Sequence, residues 1–444
     1  MLISFAVENF RSFADEQVLT LVADKDTSHR DHVVEFKDFG LLKSAVLYGA
    51  NASGKSNLVK AVGFMERFVV TSATRMNLGD PIVGAESFRL DATRAGRPCS
   101  FEVRLLLDST EFQYGFSATI ERVYDESLYV KRGGSRFSNP LRRTFDPETG
   151  KTQWQVRGEL KEAAQEVINK TRDNGLFLSR AAEMNVEFVK DLFLWFKSRL
   201  WQFDLASPRF PWNERTARRI ESDPGFRSRV ERLIHDADFG IDGLSATEEV
   251  VRPPEDAPKE VHELVRALGK AVRLGTPEDV TAEVGFKRHA VRARHKLLDS
   301  EETVEFPLQD ESNGTRRFFA LIGPVLDALD KGHVLLVDEL DCSMHPLLTR
   351  RLIELFHSPE ANPQGAQLVF TTHDSTLMDR SLFRRDQIWI TEKDRKGATE
   401  LFSLADVRGG RRPRKSEAFE KNYLSGRYGG VPSFGPALED LEVR

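Results

Sequence analysis

The sequence holds only two cysteines, Cys99 and Cys342, among 444 residues. Two thiols cannot build a disulfide framework, and such sparing use suits a reducing compartment. Long apolar runs are missing as well. Nothing approaches the roughly 18 residues that a membrane span needs, so a cytoplasmic protein without a membrane partner is expected. The opening Met1-Leu-Ile-Ser-Phe5 lacks the basic and apolar regions of a secretory signal. Positive charge is not in surplus: 64 Lys and Arg face 69 Asp and Glu, a net charge of −5. That excludes a generally polybasic coat for nucleic acid, so any such partner needs a local patch. Tyrosine and tryptophan are scarce, 6 and 5 against 31 phenylalanines, and Phe318-Phe319 and Trp195-Phe196 sit in apolar helical runs that read as core. No Cys/His cluster has the spacing of a zinc site. What is present is ordinary globular composition, 40% apolar and 30% charged, on a chain long enough for two or three domains.

Along the chain, Ile3, Phe5 and Val7 face one way and Ser4, Ala6 and Glu8 the other, the pattern of a strand with one buried face. Val18–Val22 reads as its hairpin partner, and Ser44–Tyr48 as a short buried strand. Residues 99–107 and 112–120 form strand-like runs about a turn at Asp108-Ser-Thr110, which suits antiparallel pairing. From 131 to 300 the texture changes. Glu159–Ile168, Ala181–Trp201, Phe226–Ile234 and Glu260–Val272 have helical periodicity, broken at Pro208, Pro211, Pro224 and Pro253-Pro254, so a mostly helical insertion is expected there. Thr303–Leu308 alternates again. A helix from Thr315, a strand at His333–Val337, a helix near Pro346–Phe356, a strand at Gln367–Thr371 and a hairpin pairing 387–391 with 400–404 follow. The expected organisation is an N-terminal half over 1–130, the insertion over 131–300 and a C-terminal half over 301–444.

Four segments carry chemistry. Gly49-Ala-Asn-Ala-Ser-Gly-Lys-Ser56 fits G-x-x-x-x-G-K-[ST] without a mismatch, between an apolar strand and a helical pattern. Its glycines let backbone N–H groups turn toward phosphate oxygens, and the helix start adds its positive end. Gly49, Asn51, Ser53, Gly54, Lys55, Ser56 and Asn57 are the expected contacts to ATP, with Lys55 bridging the terminal phosphates and Ser56 on Mg²⁺. His333-Val-Leu-Leu-Val-Asp338-Glu339 delivers a second Mg²⁺ residue, Asp338, and a general base, Glu339, for the attacking water. Thr371-Thr-His373 ends another strand, where an imidazole can reach the terminal phosphate or the attacking water. Ser312 and Gly314, in Glu311-Ser-Asn-Gly-Thr315, open a helix and offer an anion site.

The order of these segments, with Leu340-Asp341 after Asp338-Glu339 and Glu8-Asn-Phe-Arg-Ser-Phe13 at the start, resembles the ABC-type ATPase heads of the RecF/SMC branch. It is similar, in Asp338–Pro346 and Tyr423–Pro432, to the bacterial AAA-labelled ATPases found beside restriction and abortive-infection loci, including the ATPase of PARIS-type anti-phage systems. The resemblance implies an α/β head: a mixed sheet on a P-loop core plus an antiparallel β lobe, with the insertion between P-loop and signature. It assigns Ser312 and Gly314 to the signature motif, Asp341 to the D-loop and His373 to the switch histidine; Glu311-Ser-Asn-Gly-Thr315 departs from the usual Leu-Ser-Gly-Gly-Gln. It further implies ATP hydrolysis with Mg²⁺ between two copies, as a homodimer or ring-like homo-oligomer. The partners it implies are a separate nuclease or toxin effector encoded next door and a phage-derived trigger. The rival expectation is a RecF-type repair clamp on DNA, using the basic cluster Arg408, Arg411, Arg412, Arg414 and Lys415. A AAA+ remodeller fits poorly, because no arginine-finger box separates Lys55 from Asp338.

Overall fold

The computed structural model describes residues 1–203, 212–251, 258–263, 286–298, 300–406 and 417–432. They form two compact units. One comprises Met1–Gln202, Leu329–Leu340 and Ile353–Arg444, the other Phe203–Ala328 and Asp341–Leu352. Both mix α and β structure, and the chain as a whole is an α/β protein.

The first unit is built on a sheet with the spatial order β11 (Leu200–Phe203), β15 (Val334–Val337), β16 (Gln367–Thr371), β5 (Ser44–Tyr48), β17 (Ile388–Lys393) and β18 (Thr399–Ser403). β15, β16, β5 and β17 run parallel, and β18 returns antiparallel to β17. β5, β15 and β16 are buried at every residue, which is why they read as unbroken apolar runs and not as alternating ones. Helix α1 (Lys55–Thr71) follows β5.

A second, wholly antiparallel sheet forms the β lobe, in the order β10 (Lys151–Val156), β9 (Ser138–Asp146), β8 (Val123–Arg132), β7 (Thr110–Ala118), β6 (Cys99–Leu107), β1 (Leu2–Glu8) and β2 (Gln17–Thr20). β6 alternates buried and half-buried residues along its whole length, as a sheet with one covered face requires. The phenylalanine surplus is spent here. Phe10, Phe64, Phe101 and Phe116 stack between the lobe and α1, with ring centroids 4.9–6.3 Å apart. A short hairpin of β3 (Val33–Glu35) and β4 (Gly40–Leu42) lies beside them in sequence.

One side chain stitches three of these sheets together. Gln367, fully buried at the start of β16, accepts the Leu2 N–H through Oε1 at 2.6 Å and donates through Nε2 to the carbonyls of Leu2 and Leu42, both at 3.0 Å. Glu126 on β8 has a similar role for the helices that follow. It accepts the Tyr114 hydroxyl at 2.9 Å and the N–H groups of Phe177 and Leu178 at 2.8 and 2.9 Å. Arg143 stands 3.8 Å from it, bonded to the Gly175 carbonyl at 2.7 Å, and both charged groups are withdrawn from water. Near the start of β5, His32 stacks on His357 with centroids 3.6 Å apart and bonds Gln387 through Nδ1 at 2.9 Å, while His357 meets the Ser44 hydroxyl at 2.8 Å. Burial pushes the His32 imidazole down to about 4 and holds His357 well below the usual histidine range.

Residues 131–300 are less helical than the sequence predicts. Helices α2 (Ala164–Lys170), α3 (Phe177–Glu183), α4 (Glu187–Leu194), α5 (Trp212–Ser222) and α6 (Pro224–Asp236) are there, but so are β9, β10 and β11, and β12 (Gly243–Val251) with β13 (Phe286–Lys296). The single helix expected over Ala181–Trp201 is broken at Asn185, whose φ of 59° is left-handed. It then unwinds through a π turn at Trp195–Arg199 into β11. The helix expected over Phe226–Ile234 is present, capped by Asp223, which accepts the Phe226 N–H at 2.9 Å. In the second unit β12, β13 and β14 (Thr303–Pro307) make an antiparallel sheet. α5 meets α7 (Asn313–Lys331) there: a Cβ on Gly323 would come within 1.9 Å of the Thr216 hydroxyl, and Asp327 binds Arg215 at 2.9 Å and Arg219. α8 (Pro346–His357) and α9 (Phe419–Leu424) complete the described helices used below. The basic cluster at 408–415 lies outside the described residues, as do Pro208, Pro211, Pro253-Pro254 and most of the helix expected over Glu260–Val272.

Candidate nucleotide site

Three neighbouring parallel strands bring the sequence motifs to one sheet edge. β5 runs into the Gly49–Ser56 loop, β15 into Asp338-Glu339 and β16 into Thr372-His373. The carboxyl ends of adjacent parallel strands are where such sheets bind ligands.

The loop needs its glycines for space and for backbone angle. Gly49 and Gly54 have φ of 153° and 118°. A Cβ on Gly49 would lie 2.4 Å from the carbonyl and hydroxyl of Thr391, and one on Gly54 2.3 Å from the Thr399 hydroxyl. Those threonines, on β17 and β18, brace the loop: Thr391 shares a 2.6 Å bond with the Ser53 hydroxyl, and Thr399 donates to the Ser53 carbonyl at 2.7 Å. Lys55 is buried and curls back, with Nζ donating to the carbonyls of Gly49 and Ala50 at 2.7 and 3.1 Å. No side chain caps the start of α1, and its first turn holds no acid. Its free N–H groups and positive end therefore face the loop.

Ser56 donates to Asp338 Oδ1 at 3.2 Å, and Thr371 donates to the same oxygen at 2.7 Å. The Thr371 hydroxyl also accepts the Glu339 N–H at 2.7 Å. Glu339 carries a left-handed backbone, φ 53°, with an exposed carboxylate, and the Leu340 N–H closes the turn on the Thr371 carbonyl at 3.0 Å. A non-glycine residue in this region costs about 1–2 kcal/mol, so the fold holds Glu339 in place against a conformational preference. His373 is exposed at the end of β16. Asn57 donates its amide N–H to the Ser12 hydroxyl at 2.8 Å.

The donor set suits a nucleotide with a hard divalent cation. Ser56 and Asp338 offer oxygen ligands 3.2 Å apart, the chemistry Mg²⁺ prefers. Gly49 and Gly54 leave no room for side chains where the loop packs on Thr391 and Thr399.

In the second unit, Ser312 accepts the Thr315 N–H at 3.1 Å and shares a 2.8 Å bond with its hydroxyl, a helix cap on α7. Gly314 packs on the chain after Asp341: a Cβ there would lie 2.7 Å from the Ser343 carbonyl. Ser343 is itself left-handed, φ 60°. On the preceding side His295 of β13 reaches Glu311 at 2.8 Å. The turn that holds the expected signature residues therefore packs, at Gly314, on the turn that follows the expected D-loop residue Asp341.

Thr371, Thr391 and Thr399 were not singled out from the sequence. Threonines at strand ends look like β-propensity alone; only the spatial order of the strands would have flagged them. Tyr423 and Gly430, which belong to a segment the resemblance used, now have contacts. Tyr423 donates to the Gly430 carbonyl at 3.0 Å, and its ring lies 5.7 Å from Tyr48, while a Cβ on Gly430 would come within 3.6 Å of Gly49 Cα. The 417–432 segment thus lies against the back of the phosphate loop.

The sequence matches the family model described as "AAA domain, putative AbiEii toxin, Type IV TA system" over residues 44–379, about three quarters of its length, and the chain belongs to that family. Two solved structures are similar at 14% identity and a TM-score of 0.39: an Smc head bound to the C-winged helix domain of ScpA, and an Smc head with an extended coiled coil bound to the C-terminal domain of ScpA from Pyrococcus furiosus. Each aligns with 90% of this chain and with 97% and 96% of its own. No curated protein matches. Among the described residues no helix is long and apolar enough to cross a membrane.

Proposed function

We propose that the chain is an ATP-binding and ATP-hydrolysing switch of an anti-phage, abortive-infection type of defence system. Nucleotide sandwiched between copies would hold a separate nuclease or toxin effector, and a phage-derived trigger would release it. The observation that carries this reading is the bonded set Ser56–Asp338–Thr371–Glu339 beside the Gly49–Ser56 loop. The family's description, which names a toxin–antitoxin system, supports the defence context.

In this reading Lys55, now bonded to the Gly49 and Ala50 carbonyls, would hold the terminal phosphates, and Ser56 and Asp338 would hold Mg²⁺. The cation would neutralise phosphate charge and polarise the terminal phosphoryl group. Glu339, fixed by its N–H bond to Thr371, aligns and deprotonates water, and His373 contacts the terminal phosphate. Asn51, Ser53, Gly54 and Asn57 line the approach. Ser312 and Gly314, with Asp341, close the pocket of a neighbouring copy. Losing the terminal phosphate removes charge-assisted contacts worth about 1.5–3 kcal/mol each, enough to bias opening.

The test is ATP-dependent self-association by light scattering. Lys55→Ala and Ser312→Arg should each abolish it, and mixing the two variants should restore at most one composite pocket per pair. Association that ignores both substitutions sinks the proposal. Co-purification of the neighbouring gene's product with Glu339→Gln protein, and its release by a phage lysate, tests the effector half.

A further inference from the structure

A cleft of about 490 Å³ opens in the second unit, beside the three-stranded sheet of β12, β13 and β14. Its size falls within the range of small-molecule sites. Val291, Pro307 and Leu308 give it an apolar wall, and Asn213 and Gln309 add amides.

Its charges do not balance. Two carboxylates line the cleft, and both are engaged. Glu214 takes the His289 N–H at 2.9 Å and its Nδ1 at 2.6 Å; Glu249 pairs with Arg288 at 3.5 Å across β12 and β13. Two guanidinium groups are left over. Among the described residues the Arg292 guanidinium has no hydrogen-bonding or acidic partner, and the Arg316 guanidinium meets only the neutral Asn313 side-chain oxygen. Two uncompensated guanidiniums on the wall of one cleft are a recognition set for a dianionic oxyanion, since each offers a planar fork of donors.

We propose that this cleft is a ligand site distinct from the phosphate loop, taking a nucleotide-sized phosphate monoester held by Arg292 and Arg316. The apolar wall then covers a sugar or base, and the two amides meet its polar edge. Occupancy also reaches the Ser312 turn. The Arg316 N–H donates to the Ser312 carbonyl at 3.0 Å, so a ligand that fixes Arg316 fixes the turn opening α7. This second part rests on the role proposed above for Ser312.

The experiment uses full-length protein carrying Lys55→Ala, which removes the loop's own phosphate binding. Isothermal titration with AMP, ribose 5-phosphate and adenosine should show saturable binding, one per chain, for the two phosphate esters and none for adenosine. AMP at least tenfold tighter than ribose 5-phosphate assigns a nucleotide; equal affinities assign a sugar phosphate. Adding Arg292→Glu should weaken binding at least tenfold, and Arg292→Gln by less. Absence of saturable binding by both esters overturns the site, as does Arg292→Glu protein that binds like its parent. Coupling is read separately, as the effect of ribose 5-phosphate on ATP turnover in protein with an intact loop. An effect lost in Arg292→Glu supports it; unchanged turnover alongside intact binding overturns the coupling alone, and absent turnover altogether counts against the ATPase reading instead.

Discussion

Ser56 and Asp338, 282 residues apart in sequence, meet through a 3.2 Å hydrogen bond, and Thr371 binds the same Asp338 oxygen from the next strand. The pairing of β15 with β16, and of β16 with β5, sets this distance. Four predictions follow from the geometry around it and beyond.

Replacing Glu339 by Gln should lower ATP turnover about 10²–10⁴-fold, the usual share of a general base, while nucleotide binding is kept. Glu339→Gly should be as inactive yet raise the melting temperature, because glycine relieves the left-handed backbone at φ 53°. Steady-state kinetics with thermal melts on both variants separate the chemical loss from the conformational gain.

Gly314→Ala forces a Cβ to within 2.7 Å of the Ser343 carbonyl. The turn after Asp341 must shift. ATP-driven self-association should weaken at least tenfold, with affinity for a fluorescent ATP analogue unchanged at the phosphate loop of the isolated chain.

Glu126 and Arg143 are buried together, and removing either leaves the other's charge without its counter-ion. Glu126→Ala or Arg143→Ala alone should cost about 3–5 kcal/mol, detected as a fall in the denaturation midpoint. Glu126→Gln should cost less, since it keeps one acceptor for the Phe177 and Leu178 N–H groups.

Stability should fall on acidification through the histidine stack. His32 has its folded value pushed to about 4 by burial, below the ordinary 6.5, so between those values the unfolded chain binds the extra proton. Stability is then level above about pH 6.5, falls as pH drops toward 4 and flattens below it. His32 and His357, stacked and buried together, act in the same direction. His357→Gln should flatten the pH dependence of the urea midpoint; an unchanged slope refutes the assignment.

Much of this was legible in advance. The phosphate loop, the strand before Asp338 and the hairpin at β17 and β18 announce themselves by local pattern, because buried parallel strands are continuous apolar runs and the loop's glycines answer to backbone geometry. The inserted sheet did not. On β13 the apolar Val291 and Ala293 are flanked by Arg292, Arg294 and His295, and charge on the open face hides the alternation. The first half of β11 was absorbed into a helix, since Leu200 and Trp201 are as apolar as the helical residues before them; the π turn that ends the helix has no sequence signature of its own. Thr371 was invisible for a different reason. Its importance comes from what lies beside it in space, and β16 meets β15 only through long-range pairing.

The Gln367 carboxamide has a mechanical corollary. It anchors one tip of β16 to the first strand of the β lobe, while Thr371 anchors the other tip to the Asp338–Glu339 turn. A five-residue strand fastened at both ends is a fixed spacer: it ties the Asp338–Glu339 turn to the β lobe through a single buried element.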